Sequence, residues 1–374
     1  MTTTLAAELD ALPRALTERL AAHRFDRNQF LDLAERMNRM QNRVSGDVSP
    51  PEPGDLLELP PKDSAEGKRL LDLGLSLLAE GRSALVVLAG GMATRMGSVV
   101  KALVPALPGR TFLDMRLAEQ RALERLSGRR PPLWLMTSAA TDAAIRDALG
   151  DRIDGKYLSV FSQRLSLRLS PDGQLFRQAS GEPSEYAPGH GDFVDAVRDS
   201  GLLDAFVKGG GKTVSVANLD NLGATLDPML LGLHVDRGRP VTCEVVDKVE
   251  ADRGGIPVRH GGRAVVLEEF RLPVGFDADR VRVFSTNTFH FDARALSTYG
   301  APWSYFVVNK KVEGRPVVQF ERLINELTTH LDTSYVRVER AGALSRFLPV
   351  KDPEELERRR PELEAVARAR GMLG

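Results

Sequence analysis

The chain has 374 residues, which is too long for one ordinary hydrophobic core and long enough for two or three units around a large central domain. Its 51 basic and 51 acidic residues cancel, so there is no basic excess of the kind that binds nucleic acid or an anionic membrane. The single cysteine, Cys243, excludes an intrachain disulfide and a thiolate metal cluster. No window approaches the roughly 18 apolar residues of a membrane span, and the N-terminus lacks the basic start and apolar stretch of a signal peptide. We therefore expect a cytoplasmic protein that binds neither nucleic acid nor membrane and is a monomer or a small homo-oligomer.

The first 80 residues predict a helical extension followed by a proline-rich strap. Leucines recur at three- and four-residue steps from Leu5 to Leu20, which indicates one apolar helix face, and Pro13 should kink or divide it. A second helix follows between Phe30 and Met37. Residues 44–63 hold five prolines with several acids and should be extended.

From residue 65 onward, short apolar runs alternate with amphipathic stretches. The runs predict strands at 84–89, 133–137, 213–217 and 241–246, and the stretches predict helices at 113–127, 141–149, 193–207 and 227–236. This alternation is typical of an α/β protein with a mainly parallel sheet and helices on both faces, and ligands bind beyond the carboxyl ends of such strands. Residues 254–291 are expected to form hairpins, and a helix is expected at 353–370. We divide the chain into an extension (1–80), a catalytic domain (81–350) and a C-terminal helix (351–374).

The first candidate site is VVLAGGMATRMG, from Val86 to Gly97. A buried strand runs directly into Gly90 and Gly91, and glycines at a strand's end let backbone N–H groups face a ligand closely. Thr94 and Arg95 supply a hydroxyl and a fixed charge for phosphate oxygens. The spacing is neither that of a P-loop nor GxGxxG, and a double glycine alone is more typical of an ordinary strand–helix turn.

The second candidate is VSVANLDNLGA, where a strand ends on Asn218, Asp220 and Asn221. A carboxylate beside amides at a strand's carboxyl end suits a Mg²⁺ ion that also takes phosphate oxygens. An Asx turn capping the next helix would have the same sequence.

The third candidate is EYAPGHGDF, where His190 has glycine on both sides and is held open to a ligand. A single histidine is usually structural, and no Cys/His spacing here indicates zinc. We interpret His190 as a binding residue and not as a general base.

The fourth candidate is VVNKKVEGRPVVQFE, where Lys310 and Lys311 end an apolar strand beside a turn at Gly314. Paired lysines are as often part of a solvated loop. Elsewhere the sequence has no Ser/His/Asp order, paired carboxylates or reactive thiol. A reaction carried by positioning, cations and Mg²⁺ fits phosphoryl or nucleotidyl transfer.

These four segments, in this order, resemble the eukaryotic-type UTP–glucose-1-phosphate uridylyltransferases (UDP-glucose pyrophosphorylases). The resemblance covers roughly residues 80–352 and also includes FSQ at Phe161–Gln163, STNTF at Ser285–Phe289 and SRFLPVK at Ser345–Lys351. It implies a Rossmann-like, glycosyltransferase-A-type sheet, and a Mg²⁺-dependent reaction of UTP with glucose 1-phosphate that gives UDP-glucose and pyrophosphate.

The resemblance also implies roles for single residues. Lys101, Lys311 and Arg95 would be the catalytic cations and Asp220 the Mg²⁺ ligand, with Asn218 facing sugar and metal. The remaining substrate-binding residues would line the uridine and its phosphates (Leu88, Ala89, Gly90, Gly91), read the uracil edge (Gln163, Gly189) and contact the sugar or its phosphate (His190, Glu268, Asn287).

The chain departs from the family pattern at four places. Ala93 replaces a glycine, the run before Lys101 is one residue short and lacks Gly-Pro, and His290 stands where tryptophan is usual. The C-terminal β-helix of the family, which often makes subunit contacts, is expected to be missing. Two alternatives to the glucose enzyme therefore stay open: a uridylyltransferase for another hexose 1-phosphate, and a non-catalytic nucleotide-sugar-binding protein.

Overall fold

The computed structural model describes residues 4–93, 96–97, 99–249 and 252–373. Its α-helices, labelled in chain order, are α1 (Leu5–Asp10), α2 (Arg14–Ala22), α3 (Arg27–Arg36), α4 (Ala65–Ala79), α5 (Phe112–Ser127), α6 (Asp142–Leu149), α7 (Phe193–Asp199), α8 (Leu202–Lys208), α9 (Pro228–Arg237), α10 (Ala293–Ser297), α11 (Leu327–His330) and α12 (Pro353–Ala369).

Its strands are β1 (Val48–Ser49), β2 (Leu56–Glu58), β3 (Ser83–Leu88), β4 (Met92–Ala93), β5 (Val99–Val100), β6 (Pro105–Leu107), β7 (Arg110–Thr111), β8 (Leu133–Thr137), β9 (Leu158–Ser162), β10 (Ser166–Leu167), β11 (Glu185–Tyr186), β12 (Thr213–Asn218), β13 (Val241–Asp247), β14 (Ile256–His260), β15 (Arg263–Leu267), β16 (Val283–Asp292), β17 (Phe306–Val312), β18 (Arg315–Glu321) and β19 (Thr333–Arg337).

Within these residues an eight-stranded sheet forms the centre of the molecule, in the order β2-β19-β13-β16-β12-β3-β8-β9. Neighbouring strands are parallel except at β16, which runs antiparallel to both β13 and β12. The predicted parallel-dominated α/β sheet is therefore confirmed. The carboxyl ends of β3, β12, β8 and β9 meet at one edge, which is where such sheets bind ligands.

The sheet is buried on both faces, and the apolar residues of its strands pack into a core on each side. Along β3, Ala84 and Val86 pack into one core, while Leu85 and Val87 pack into a second core on the opposite face. This alternation follows from the two-residue period of a strand. Cys243 lies in the first core and is fully buried, as expected of a small apolar residue.

Most predicted elements appear within one or two residues of their expected bounds. The helix predicted at 193–207 is instead two helices, because Gly201 between them has a φ of +75° that ends α7. Part of the segment predicted to form hairpins, β16, belongs to the central sheet. The proline-rich strap also enters the central sheet, since β2 pairs with β19 and forms an edge strand of that sheet.

The N-terminal helices pack on a separate small core. Pro13 precedes α2 and divides it from α1, as predicted. Apolar residues of α1–α3, such as Leu16 and Phe30, contact the β10 segment and the β17–β18 hairpin, including Leu167 and Phe320.

His290, the residue that stands in place of a tryptophan, lies in a buried polar cluster. Its Nε2 is 2.9 Å from Glu244 and its Nδ1 is 2.7 Å from Ser215 Oγ. Arg346 donates two hydrogen bonds to the same carboxylate, at 2.5 and 2.6 Å. Burial alone would raise the pKa of Glu244, but Arg346 and His290 hold it below its ordinary value. A fully buried carboxylate is tolerated only when it is paired in this way. His290 therefore helps to stabilise Glu244 inside the sheet, and its role is structural.

Among the described residues, the helices are all too short or too polar to cross a membrane.

Candidate active site

A cavity of about 900 Å³ opens at the edge where the four carboxyl ends meet. Nine of the residues to which the sequence assigned a role line it: Leu88, Gly90, Gly91, Lys101, Gln163, Gly189, His190, Asn218 and Asp220. They come from segments scattered between residues 88 and 220. Six of them lie at or just beyond the ends of β3, β9 and β12 of the central sheet, whereas Lys101, Gly189 and His190 reach the cavity from segments that follow the small separate sheets of β5 and β11.

The glycine loop is held in place by the loop after β8. Ser138 Oγ donates to the carbonyl of Gly90 at 2.9 Å, and Thr141 Oγ1 donates to the carbonyl of Ala89 at 3.1 Å. Ala89 is fully buried, and its N–H bonds to Met136. The carbonyls of Ala89 and Gly90 therefore accept hydrogen bonds from the protein. The backbone N–H groups of the two glycines are the groups that a ligand could use.

The two glycines of the loop are needed for different reasons. A Cβ on Gly90 would lie 2.7 Å from Gln163 Oε1, so this glycine makes room for a neighbouring side chain. A Cβ on Gly91 would meet nothing within 4 Å. Gly91 therefore leaves open space in the cavity itself.

Alanine at position 93, where the family pattern predicts glycine, fits the observed backbone. Ala93 lies in strand β4, which pairs with β5, and its φ is not positive. The backbone there is extended, so alanine is accommodated without strain. Thr94, Arg95 and Ser98 lie outside the described residues.

The PGHGD loop lies against the end of β9 and against the segment after β18. Gln163 Nε2 donates to the carbonyl of Gly189 at 2.9 Å, so the two predicted base-reading residues are in contact. Gly189 has a φ of +88°, and a Cβ there would lie 2.5 Å from the Arg322 carbonyl. Asp192, the last residue of PGHGD, pairs with Arg322 and accepts from the Arg164 N–H at 2.6 Å. These contacts fix the loop from both sides.

His190 faces the cavity as a neutral donor. The N–H of Ile324 donates to its Nδ1 at 3.1 Å, so the ring proton is on Nε2. Burial lowers the pKa of His190 from 6.5 to about 4, and the charge of Glu321 offsets only part of this shift. A ring that stays neutral above pH 4 can donate a hydrogen bond, as the sequence interpretation requires.

Asp220 lies on a loop whose carbonyls converge on one buried arginine. Arg116, which is 0% exposed, donates to the carbonyls of Asn218, Asn221 and Ala224 at 2.7, 2.7 and 3.0 Å. Sequence reasoning missed Arg116, because an arginine within an amphipathic helix gives no sign of where its side chain ends.

Lys101 Nζ lies 2.5 Å from Asp220 Oδ2. The two side chains come from different segments of the chain and are 19% and 16% exposed. The predicted phosphate-binding cation and the predicted metal ligand are thus an ion pair in the structure.

Asn287 is brought to the site by a bulge. The register between β13 and β16 shifts opposite Glu244, and Asn287 has a φ of +59°, which asparagine tolerates better than most residues. Its Nδ2 donates to Asn218 Oδ1 at 3.1 Å, while its own Oδ1 is buried without a hydrogen-bond partner. Asn287 lies beside the cavity, in contact with a residue that lines it.

Glu268 also lies outside the cavity lining. Asn325 donates to its Oε1 at 2.6 Å. Burial raises the pKa of Glu268, and the hydrogen bond from Asn325 opposes this only in part.

The lysine pair is split by the geometry of its strand. Lys310 lines the cavity and donates to Glu321 Oε1 at 2.6 Å. Lys311 is exposed and is not among the cavity-lining residues. Successive side chains of a strand point to opposite faces, so the structure brings the neighbour of the predicted lysine to the cavity.

The wall opposite the sheet carries residues that sequence reasoning did not select. Arg19 of α2 forms a two-pronged ion pair with Glu185, and Arg168 donates to Gln319 Oε1 at 2.9 Å. All four line the cavity. Arg19 lies more than 60 residues before the glycine loop and has no motif around it. Its place in the cavity lining could therefore be learned only from the fold.

The donor set for a metal is small. In the described part of the chain, no group of three or more His, Cys, Asp or Glu side chains could hold a metal ion. Asp220, with Asn218 next to it, offers one carboxylate at the cavity. Mg²⁺ commonly binds through one or two carboxylates and completes its shell with phosphate oxygens and water, so these residues fit a magnesium ion that arrives with a nucleotide.

Comparison with known proteins agrees with this geometry. The family model of UTP--glucose-1-phosphate uridylyltransferase matches residues 28–360. The enzyme of that name from Musa acuminata is 30% identical over 320 residues, which are 81% of this chain and 66% of that protein. The chain spans between 57% and 66% of the length of the curated relatives it matches.

Solved structures support the fold. UDP-glucose phosphorylase from Trypanosoma brucei has a TM-score of 0.76 and 22% identity, with 92% of this chain and 77% of that chain covered. Uridine diphosphate N-acetylglucosamine pyrophosphorylase from the same organism has a TM-score of 0.71 and 19% identity, over 88% of this chain and 74% of that chain. At these identities the likeness concerns the fold alone, and it confirms the nucleotide-diphospho-sugar transferase architecture. By its match over residues 28–360, the chain belongs to the UTP–glucose-1-phosphate uridylyltransferase family.

Proposed function

We propose that this chain joins UTP and glucose 1-phosphate to give UDP-glucose and pyrophosphate. The observation that carries the proposal is the Lys101–Asp220 contact at 2.5 Å, beside Gly91 and within the cavity that Gln163 and Gly189 also line. A cation and a carboxylate held together at the edge of a nucleotide-sized cavity are the groups that a metal-bound triphosphate requires.

In the proposed reaction, a phosphate oxygen of glucose 1-phosphate attacks the α-phosphorus of UTP, and the bond from that phosphorus to the bridging oxygen breaks. The uridylyl group passes to the sugar phosphate, and the electron pair of the broken bond leaves with pyrophosphate. Both reactants are anions, so the protein must lower their repulsion and hold them in line.

The cations of the site have this role. Lys101 faces the phosphates, and Lys311 and Arg95 complete the set implied by the family resemblance. Lys310 is a second candidate from the hairpin, because its side chain lines the cavity. Mg²⁺, when bound at Asp220 with Asn218 beside it, would neutralise phosphate charge and polarise the phosphoryl oxygens.

The remaining residues bind and orient. Gln163 and Gly189 would read the uracil edge, while the segment from Leu88 to Gly91 lines the uridine and its phosphates. His190 Nε2–H would donate to an anionic or hydroxyl oxygen. Glu268 and Asn287 would contact the sugar or its phosphate, and the free Oδ1 of Asn287 is an acceptor suited to a sugar hydroxyl.

A pyrophosphate-release assay with UTP and a panel of sugar 1-phosphates tests this function. We expect release with glucose 1-phosphate and Mg²⁺, and the panel includes N-acetylglucosamine 1-phosphate because a pyrophosphorylase named for that sugar shares the fold. Preference for another hexose would replace glucose in the proposal. Uridine nucleotide binding without release from any sugar would favour a non-catalytic binding protein.

The cellular setting is part of the same proposal. We place the chain in the cytoplasm, with UTP and a sugar 1-phosphate as its partners and with one copy or a few copies in the working unit. The balanced charge of the sequence supports small anionic substrates bound at one local site over nucleic acid or an anionic surface.

A further inference from the structure

The hairpin that carries Lys310 and Lys311 is separate from the central sheet. Strands β17 and β18 form their own two-stranded sheet. On the outer side of β18, Val318 exchanges two backbone hydrogen bonds with Leu169, at 2.7 and 2.9 Å. The outer side of β17 is an edge, where backbone groups need partners from elsewhere.

Asn42 supplies those partners at Val307. Its Nδ2 donates to the Val307 carbonyl at 2.9 Å, and its Oδ1 accepts from the Val307 N–H at 3.1 Å. An asparagine amide carries one donor group and one acceptor, so it can replace a neighbouring strand at one residue. Val307 lies three residues before Lys310, about 10 Å along the strand.

The same N-terminal segment holds the hairpin by packing. Tyr305, just before β17, donates its hydroxyl to Gln29 Oε1 at 2.7 Å. The rings of Phe30 and Phe320 meet edge to face, with centroids 6.4 Å apart. Phe30 and Phe320 are 3% and 2% exposed, so this contact is part of a closed core.

The segment also reaches the cavity at two other points. His23 Nδ1 lies 3.2 Å from Ser162 Oγ, next to the base-reading Gln163. Arg19 pairs with Glu185 on the cavity wall. Three separate parts of the site therefore depend on residues 4–43 for their position.

We propose that residues 4–43 are a positioning element of the active site, and that Asn42 is the positioning residue that sets the hairpin of Lys310 and Lys311 against the cavity. This inference rests on the proposed function for its kinetic consequence. Asn42 touches neither substrate nor reacting atoms in this proposal; it acts through the backbone of Val307. A small displacement of a catalytic cation costs turnover even when the substrate still binds.

The test compares Asn42→Ala with a control in the same segment, Asp26→Ala. Asp26 caps α3 by accepting from the Gln29 N–H at 2.9 Å, so its loss weakens the segment without removing a contact to the hairpin. The measurements are kcat and KM for pyrophosphate release, UTP affinity by calorimetry, thermal unfolding, and amide hydrogen exchange of the peptide that spans residues 305–312.

For Asn42→Ala we expect kcat to fall about tenfold or more, with UTP affinity and the melting temperature near wild type. Amide exchange should rise in the 305–312 peptide and stay unchanged in the peptide of β12. Asp26→Ala should keep kcat and the exchange of the hairpin. Wild-type kcat and exchange in Asn42→Ala would overturn the proposal. An equal loss of kcat in Asp26→Ala would overturn the specific role of Asn42, because any weakening of the segment would then have the same effect.

Failure of the proposed function has a different signature. If the wild-type protein releases no pyrophosphate from any sugar 1-phosphate, the enzymatic assignment fails. The exchange comparison still decides whether Asn42 holds the hairpin, because it needs no substrate.

Discussion

Lys101 Nζ and Asp220 Oδ2 lie 2.5 Å apart, although 119 residues separate the two side chains in sequence. In the proposed reaction Lys101 faces phosphate and Asp220 faces Mg²⁺, so each has a different partner once substrate is bound. The contact between them holds two opposite charges at the cavity until then. Binding of the magnesium nucleotide must exchange this ion pair for two new ones.

Removal of the Asp220 carboxylate should lower metal-dependent turnover and leave nucleotide binding intact. In Asp220→Ala, we expect kcat to fall by about 10²-fold or more, because the charge that holds the cation is gone. Binding of UTP in the presence of a chelator should survive, since Lys101 then has no competing carboxylate. Rates of pyrophosphate release and calorimetry with UTP in chelator measure the two effects, and near-normal turnover would refute the role of Asp220.

The two glycines of the loop should respond differently to the same added methyl group. Gly91→Ala adds a Cβ to open space at a φ that alanine tolerates, so the free energy of unfolding should change by less than about 0.5 kcal/mol. The KM for UTP should rise, because the methyl group occupies the cavity. Unchanged KM and kcat in this variant would show that phosphates do not approach Gly91.

Gly90→Ala is the matched comparison. Its Cβ would lie 2.7 Å from Gln163 Oε1, so the end of the Gln163 side chain must move, and loss of its hydrogen bond to Gly189 would cost roughly 0.5–1.5 kcal/mol of stability. Displacement of Gln163 should also reduce discrimination between UTP and CTP. Denaturant unfolding and competition by CTP measure both effects, and a Gly90→Ala protein as stable as Gly91→Ala would contradict the packing argument.

The sequence was sufficient to predict the parts of the site that lie at the ends of strands. Gly90, Asn218 and Gln163 each follow a strand, and parallel strands of one sheet end at one edge, so their meeting could be expected from the chain order alone. The helix break has a local cause in the positive φ of Gly201, which the apolar periodicity does not show. The inclusion of β16 in the sheet depended on tertiary packing, which local pattern does not show either.

Other parts of the site depend on register and could not be predicted. The orientation of Asn287 follows from a bulge opposite Glu244, and a bulge of this kind has no signature in the residues themselves. Which lysine of the hairpin faces the cavity depends on the pairing register of two strands, where a slip of one residue exchanges the faces. Arg19 enters the site by long-range packing of α2.

The lysine pair can be separated by substitution. Both lysines are exposed, but only Lys310 lines the cavity, so Lys310→Ala should lower kcat if the hairpin keeps this register in the complex. Lys311→Ala should lower kcat instead if the family correspondence holds and the hairpin rearranges on binding. Single-turnover rates of the two variants decide between the lysines, and full activity in both would exclude the hairpin from catalysis.

The pKa of His190 gives a pH-dependent contribution to stability. Burial lowers this pKa from 6.5 to about 4, so the folded protein resists a proton that the unfolded chain accepts. The contribution is full above pH 6.5 and is lost as the pH falls through about 4. His190→Gln should therefore lose less stability than the wild-type protein on acidification over this range. His234, whose pKa burial lowers to about 3, is present in both proteins and serves as the common background.

Two measurements check this expectation. Unfolding free energies at several pH values should give a difference between His190→Gln and wild type that shrinks toward acid pH. The ring Cε1–H resonance of His190 should not shift near pH 6.5. Titration of that resonance near pH 6.5, the ordinary pKa of histidine, would show that His190 is not held neutral. Its role as a hydrogen-bond donor would then fail.

Arg116 should matter more for turnover than for nucleotide affinity. It donates to three carbonyls of the loop that carries Asp220, and it also pairs with Glu119 at 2.7 Å. In Arg116→Met the side chain keeps its approximate volume, but the carbonyls lose their donor and Glu119 loses its partner. We expect a loss of about 3 kcal/mol in stability, and a lower kcat at temperatures where the variant is folded, because Asp220 is no longer fixed.

Arg116→Lys and Arg130→Met are the controls for this prediction. Lysine keeps the charge but lacks the planar fork that reaches several carbonyls at once, so it should recover stability in part and kcat only weakly. Arg130 forms an ion pair with Glu124 whose two side chains are 38% and 39% exposed, and its loss should change neither quantity. If Arg116→Met retains wild-type kcat at low temperature, the loop holds Asp220 without the arginine, and the carbonyl contacts stabilise the fold alone.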